Sequence, residues 1–204
     1  MKSIFAKTRF FVALALSAIA ILPVVSCQKV EEAQATIVND WMILKMGDSV
    51  PPVSMVYSFT QSEQFEAGFI LDETLLAQLR ETFSDMTLSE EGQKMLESLS
   101  VGDMLVQVGG SYTVAFDESG TAGTVTVVLD PQKCIAQVDE EDSVETIPFH
   151  DLEEDSMIGV GYSQDDEGNR TDIDIEMKSA SSLGVKIGKH YLLKTLADSI
   201  PKEW

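Results

Sequence analysis

Between residues 37 and 178 the spacing of apolar residues switches from two to about four and back to two. Ile37 to Met46 is an apolar, strand-like stretch around Trp41. Asp48 to Val53, with Pro51 and Pro52, reads as a turn or loop, because proline lacks the N–H that a ladder needs. Met55, Tyr57 and Phe59 then alternate with Val56, Ser58 and Thr60, the period of a half-buried strand. From Asp72 the period lengthens: Leu75, Leu79 and Phe83 recur every fourth residue, flanked by Leu76 and Met86, which predicts an amphipathic helix capped by Asp72. A second helical piece starts at Thr87 or Ser89, where Thr87 and Glu90 have capping-box spacing. It carries Met95, Leu96 and Leu99 on one side and leaves through Val101-Gly102.

The rest of the chain reads as strands. Met104 to Val108 is short and apolar, Gly109-Gly110 predicts a turn, and Tyr112, Val114 and Phe116 alternate with Thr113 and Ala115. A turn over Glu118 to Gly123 leads to Val125, Val127 and Leu129, a run ended by Asp130-Pro131. Further strand candidates are Cys134 to Val138, Met157 to Ser163, and Thr171 to Lys178, with a hairpin turn at Asp165 to Asn169 between the last two. Between Leu183 and Trp204, Tyr191, Leu192, Leu193 and Leu196 fit either a short helix or a closing strand. Seven to nine strands with one helical insertion over 72–100 predict a mainly β fold, an antiparallel meander closing into a barrel or a sandwich.

Ahead of this domain the pattern is different. Lys2, Lys7 and Arg9 precede an apolar run from Phe10 to Val25, shorter than the roughly 20 residues of a spanning helix and followed by no charged stop. Val24, Val25, Ser26 and Cys27 resemble the lipobox of bacterial lipoproteins. That resemblance implies a signal peptide over 1–26, cleavage before Cys27, and acylation of Cys27, where two or more acyl chains would hold the domain stably at a membrane. Residues 27–36 form the tether that follows. Gln28, Lys29, Val30, Glu31 and Glu32 resemble the short signal that sends lipoproteins of Bacteroidota to the cell surface. Residue 28 is not the Asp that retains lipoproteins in the inner membrane of enterobacteria. The implied address is the outer membrane, at its periplasmic face or on the cell surface.

Charge narrows the partners. Beyond residue 26 the chain has 178 residues, one domain's worth, with 11 Lys and Arg against 34 Asp and Glu, a balance of −23. Such a surface repels phosphate backbones and anionic headgroups, so nucleic acid is excluded as a partner and the only membrane attachment is the lipid on Cys27. With Cys27 acylated, Cys134 has no partner for a disulfide, and the apolar core alone must hold the domain.

Within residues 37–204, Ile37-Val38 with Trp41, the Tyr57-x-Phe59 strand, Gly110 to Val114, and Leu152 to Asp155 resemble the lipocalin-like domains of Bacteroidota lipoproteins. The helical segment 72–100 departs from that pattern, which has a brief loop there. The resemblance implies a small antiparallel barrel that is either packed with side chains or holds one apolar ligand. Trp41, Tyr57, Phe59, Phe65, Phe69, Tyr112, Phe116 and Tyr162 would line or fill its interior. No ligand residues carry over.

Catalytic sets are missing from the pattern. There is no Gly-x-Ser-x-Gly elbow, no His-Glu-x-x-His pair and no phosphate-cradling glycine loop. Gly159-Val160-Gly161-Tyr162 has strand spacing. His150, beside Asp151, is the histidine a carboxylate could orient, and the bland reading is an exposed loop residue. Cys134 reads as a buried thiol. Asp165, Asp166, Glu167, Asn169 and Asp172 supply hard oxygens for a weak candidate calcium loop, although Gly168 and Asn169 equally suit a tight turn. The reading is a lipid-anchored binding protein that is not an enzyme and needs no cofactor, with a small apolar ligand or a surface protein as partner. The alternatives are an accessory subunit of a surface complex that docks through residues 72–100, and a hydrolase using His150.

Overall fold

The computed structural model describes residues 37–138, 143–164 and 169–201, residues 163 and 164 by backbone alone. The leader, Cys27, the tether through Thr36 and the acidic turn at 165–168 lie outside the described residues.

Eight strands run as an up-and-down meander: β1 (Asn39–Met46), β2 (Met55–Phe59), β3 (Gln64–Ile70), β4 (Met104–Phe116), β5 (Gly123–Leu129), β6 (Val144–His150), β7 (Ser156–Gln164) and β8 (Arg170–Ser179). Each pairs antiparallel with its chain neighbours, and β8 returns to β1, so the sheet closes into a barrel. The expected mainly β, lipocalin-like barrel is the architecture observed. A ninth strand, β9 (His190–Leu192), adds in parallel to β4 through Met104↔His190, Leu105↔Tyr191 and Val106↔Leu192.

The helical insertion is two helices between β3 and β4, α1 (Glu73–Ser84) and α2 (Glu90–Ser98). Asp72 caps α1, its carboxylate accepting the Leu75 N–H at 2.7 Å. Ser89, rather than Thr87, caps α2 by accepting from Gly92. Leu76 and Phe83 of α1 and Met95 of α2 are buried with Leu71, Leu88, Leu99, Leu105 and Leu196 in one cluster. Most of the apolar stripe of 72–100 is therefore covered within the molecule, with Leu75, Leu79 and Leu96 half-buried and Met86 exposed. The C-terminal segment resolves the choice left open by the sequence in favour of both elements, since β9 leads directly into α3 (Leu193–Asp198).

Four readings of the sequence change. Gly109-Gly110 is not a turn but the middle of the 13-residue β4. Residues 104–111 of that strand pair with β3 and residues 110–116 with β5, and a Cβ on Gly110 would run into the Val128 carbonyl, so glycine lets three strands pack where the barrel bends. Cys134 to Val138 is a loop, not a strand. β3 escaped notice because Glu66, Ala67 and Gly68 interrupt its apolar pattern. β6 escaped notice because Pro148 argues against an interior strand. Its ladder to β7 has only the pairs Phe149↔Gly159 and His150↔Ile158 and stops at Pro148, which has no donor to offer.

Two apolar layers flank this wall. One cluster draws residues from all eight barrel strands and is the interior. Another lies on the outer face: Met42, Val56, Gly68, Val106 and Leu192 fall in one cross-strand row, covered by Ala180, Val185 and Ile187 of the C-terminal segment. Asp103 latches that segment down. Its buried carboxylate accepts the N–H of Ser100 at 2.9 Å and that of Lys189 at 2.8 Å. His190 and Glu66, 2.6 Å apart, tie β9 to β3, and the Glu66 hydrogen bond raises the His190 pKa. Asp103→Ala leaves two N–H groups without an acceptor, and urea denaturation should show a loss of about 2–4 kcal/mol.

Candidate functional site at the open end of the barrel

The meander sorts the connections to two ends. Turns 60–63, 117–122 and 151–155 lie at the end where the chain enters through Ile37, and loop 47–54, the helices and residues 130–138 lie at the other. The first end is plugged. Trp41 is fully buried and its Nε1–H donates to the Ile37 carbonyl at 2.9 Å. Phe59 packs against Phe65 and Tyr112 with ring centroids 5.1 and 5.0 Å apart, and Phe116 meets Phe149 edge-on at 5.3 Å. The Tyr112 hydroxyl donates to the Thr60 carbonyl at 2.8 Å, and burial with the nearby Glu63 charge pushes its pKa up to about 12.

Among the described residues the other end is less completely buried, although Ile43, Leu129 and Cys134 are covered. Met46, Met55, Tyr57, Ala67, Val108, Val138 and Ile147 pack against the interior cluster there and are half-buried, as is Phe116 at the plugged end, and Tyr57 also meets Phe65 edge-on at 5.8 Å. Tyr57, Ala67 and Val108 form one cross-strand row halfway along β2, β3 and β4. On the facing side of the barrel Glu145 alternates with Ile147 and Phe149 and pairs with Val127, all three in the interior cluster, so its side chain points inward. It is 8% exposed.

No hydrogen-bond or ion-pair partner holds the Glu145 carboxyl among the described residues. No side-chain oxygen there is both sealed from solvent and unpartnered, so the Glu145 carboxyl is not fully sealed. Burial raises its pKa to about 7. Burial, and secondarily the Glu145 charge, pushes the Tyr57 hydroxyl up to about 12, so the two groups feel each other across the interior. Cys134 lies at the same end, 1% exposed, with Sγ donating to the Gly109 carbonyl at 3.7 Å; burial raises its pKa and works against a thiolate nucleophile. The arrangement is an apolar interior with one acid and one phenol, Glu145 and Tyr57, close enough to feel each other. The Glu145 charge also reaches the Cys134 thiol and adds to the rise in its pKa.

The residues singled out from the sequence are scattered. His150 ends β6 with its side chain 40% exposed, 3.1 Å from Asp151 and 3.8 Å from Asp174, on the outside of the barrel. His190 lies on the outer face with Glu66. Asp165, Asp166 and Glu167 fall outside the described residues; Asn169 and Asp172 flank them at the start of β8. Among the described residues no three His, Cys, Asp or Glu side chains are grouped to hold a metal ion, and no helix is long and apolar enough to cross a membrane. Of the eight aromatics expected inside, Phe69 packs instead with the helices. Tyr162 alternates with the inward Gly161 and faces out beneath Arg170, 4.5 Å from its ring centre. Gly159 and Gly161 are indeed strand residues, standing beneath Met177 and Ile175. Glu145 went unnoticed because β6 did; alternation with Ile147 and Phe149 was the available signal.

No protein-family model and no curated protein matches this chain.

The raised pKa sets a pH dependence. Between about 4.5 and 7 the folded chain holds a proton on Glu145 that the unfolded chain releases, so this group's contribution to stability falls as pH rises through that window. Above pH 7 the full cost, about 3 kcal/mol, is present. Glu145→Gln should therefore exceed the parent in stability by that amount at pH 8 and match it near pH 4, as read from urea midpoints. Equal midpoints at both pH values would show that the carboxyl is solvated like an ordinary surface acid.

Proposed function

We propose that this protein is a non-enzymatic, lipid-anchored binding protein of the outer membrane or cell surface that holds a small apolar ligand in the open end of its barrel. The observation that carries the reading is the contrast between the two ends of one interior. Trp41, Phe59, Phe65 and Tyr112 fill the end where the chain enters, while Tyr57, Ala67, Val108 and Ile147 face inward and stay half-buried at the other. An apolar lining left incompletely covered is favourable to cover, at roughly 25 cal/mol per Å².

The anchor rests on Val24-Val25-Ser26-Cys27. Ile37 leads into β1 at the plugged end, which is the end of the domain nearest in sequence to Cys27.

Two measurements test the reading. Calorimetric titration with decanol should show saturable binding to the parent chain and at least tenfold weaker binding to Ala67→Phe, whose ring fills the half-buried row. A parent chain that binds no apolar probe removes the ligand reading. Separately, cells grown with labelled palmitate should label the parent and not Cys27→Ser, which should also leave the membrane fraction. Labelling that survives the substitution removes the anchor.

A further inference from the structure

Glu145 is poorly explained by an apolar ligand alone. A neutral chamber would be better served by a residue with no charge, because an ionised carboxyl facing an apolar interior without a partner is costly. The described residues supply no counter-charge. Lys133 hydrogen-bonds Gln64 at 3.1 Å, Lys194 pairs with Asp198 at 3.3 Å, and no ion pair reaches Glu145. The Glu145 side chain shares the inward face of Ile147 and Phe149, the residue is 8% exposed, and its carboxyl oxygens are not fully sealed from solvent. It belongs to the stretch of β6, from Val144 to Pro148, that has no ladder to β7, so the wall beside it is not sealed by backbone pairing.

We propose that the open end of the barrel selects a cationic amphiphile, an apolar body carrying a protonated amine, with Glu145 as its counter-charge, Tyr57 as a second polar contact, and Ala67, Val108 and Ile147 against the apolar part. This rests on the ligand-binding reading above and adds the chemical class. An ammonium supplies the positive partner that Glu145 lacks and donates hydrogen bonds to its oxygens. The Tyr57 hydroxyl lies close enough to Glu145 to feel its charge. Fatty acids and other anionic amphiphiles meet an unpaired acid inside and a strongly acidic chain outside.

The test is isothermal titration of the full chain at pH 8 with decylammonium, decanol and decanoate, each below its micellar concentration. The expected result is decylammonium at least tenfold tighter than decanol, with decanoate weakest. Glu145→Gln should abolish the preference for the amine while leaving decanol within about twofold, and Tyr57→Phe should weaken the amine severalfold. Because Glu145→Gln keeps the other 33 acidic residues, loss of preference there separates the interior site from attraction to the acidic surface. Equal affinity of the parent for amine and alcohol, or a preference that survives Glu145→Gln, overturns the proposal and leaves apolar binding standing. Failure of all three probes to bind overturns both. If Glu145→Gln did not fold, an amine preference unchanged in Tyr57→Phe would by itself overturn the two-contact site.

Discussion

The interior exists only because β3 and β4 pair across a 33-residue excursion. Seven register pairs, from Gln64↔Ser111 to Ile70↔Met104, join strands separated by both helices. Without that seam the remaining strands are an open sheet with two edges and no inside. Closing a long connection costs little more than closing a short one, because loop entropy grows only with the logarithm of length, and the helices recover part of the cost by burying Leu76, Phe83 and Met95 against Leu71 and Leu105. The same strand β4 then serves three neighbours. Its first half pairs with β3 on one edge and β9 on the other, and its second half pairs with β5. Gly110 is the concession that lets this happen, since any side chain there would strike the Val128 carbonyl.

Closure at β3–β4 is balanced by a weak seam on the far side. β6 and β7 share two register pairs, whereas β7 and β8 share nine. Pro148 marks where the weak ladder ends. The result is a barrel firm at its plugged end, where Phe149 pairs with Gly159 and packs on Phe116, and loosely joined toward the open end, where Ile147 and Glu145 sit. Local opening concentrates where backbone pairing is sparse. The half-buried row, the unpaired stretch of β6 and the inward acid thus occur together, at the end away from the aromatic plug.

What could be read beforehand followed the strength of the local pattern. Clean alternation at Tyr57-Phe59, Tyr112-Phe116, Val125-Leu129 and Ile173-Met177 placed β2, the second half of β4, β5 and β8, and fourfold spacing from Leu75 placed α1. The misses have tertiary causes. Gly109-Gly110 has the composition of a turn, and only the crossing of three strands makes it strand interior. β3 contains Gly68 and β6 contains Pro148, each a breaker taken alone, each tolerated because of what lies or does not lie beside it in the sheet. Cys134 was legible as a buried thiol but not as a loop residue, because its burial comes from sitting under Gly109 rather than from membership in a strand.

The acid content misleads in the same way. Thirty-four acidic residues in one chain invite a single explanation, solvation of the surface, and for groups such as Asp117, held by Ser119, Gly120 and Ala122 in an exposed turn, that explanation is sufficient. Acids outside cost little because water solvates them; an acid inside an apolar barrel costs in proportion to its isolation. Asp103 is buried too, but two backbone N–H groups satisfy it and its role ends with the latch. Glu145 has burial without such bonds. A buried acid that the fold does not use to hold itself together is either a defect or a contact kept for something that arrives from outside. Its position, at the open end facing Tyr57, favours the second.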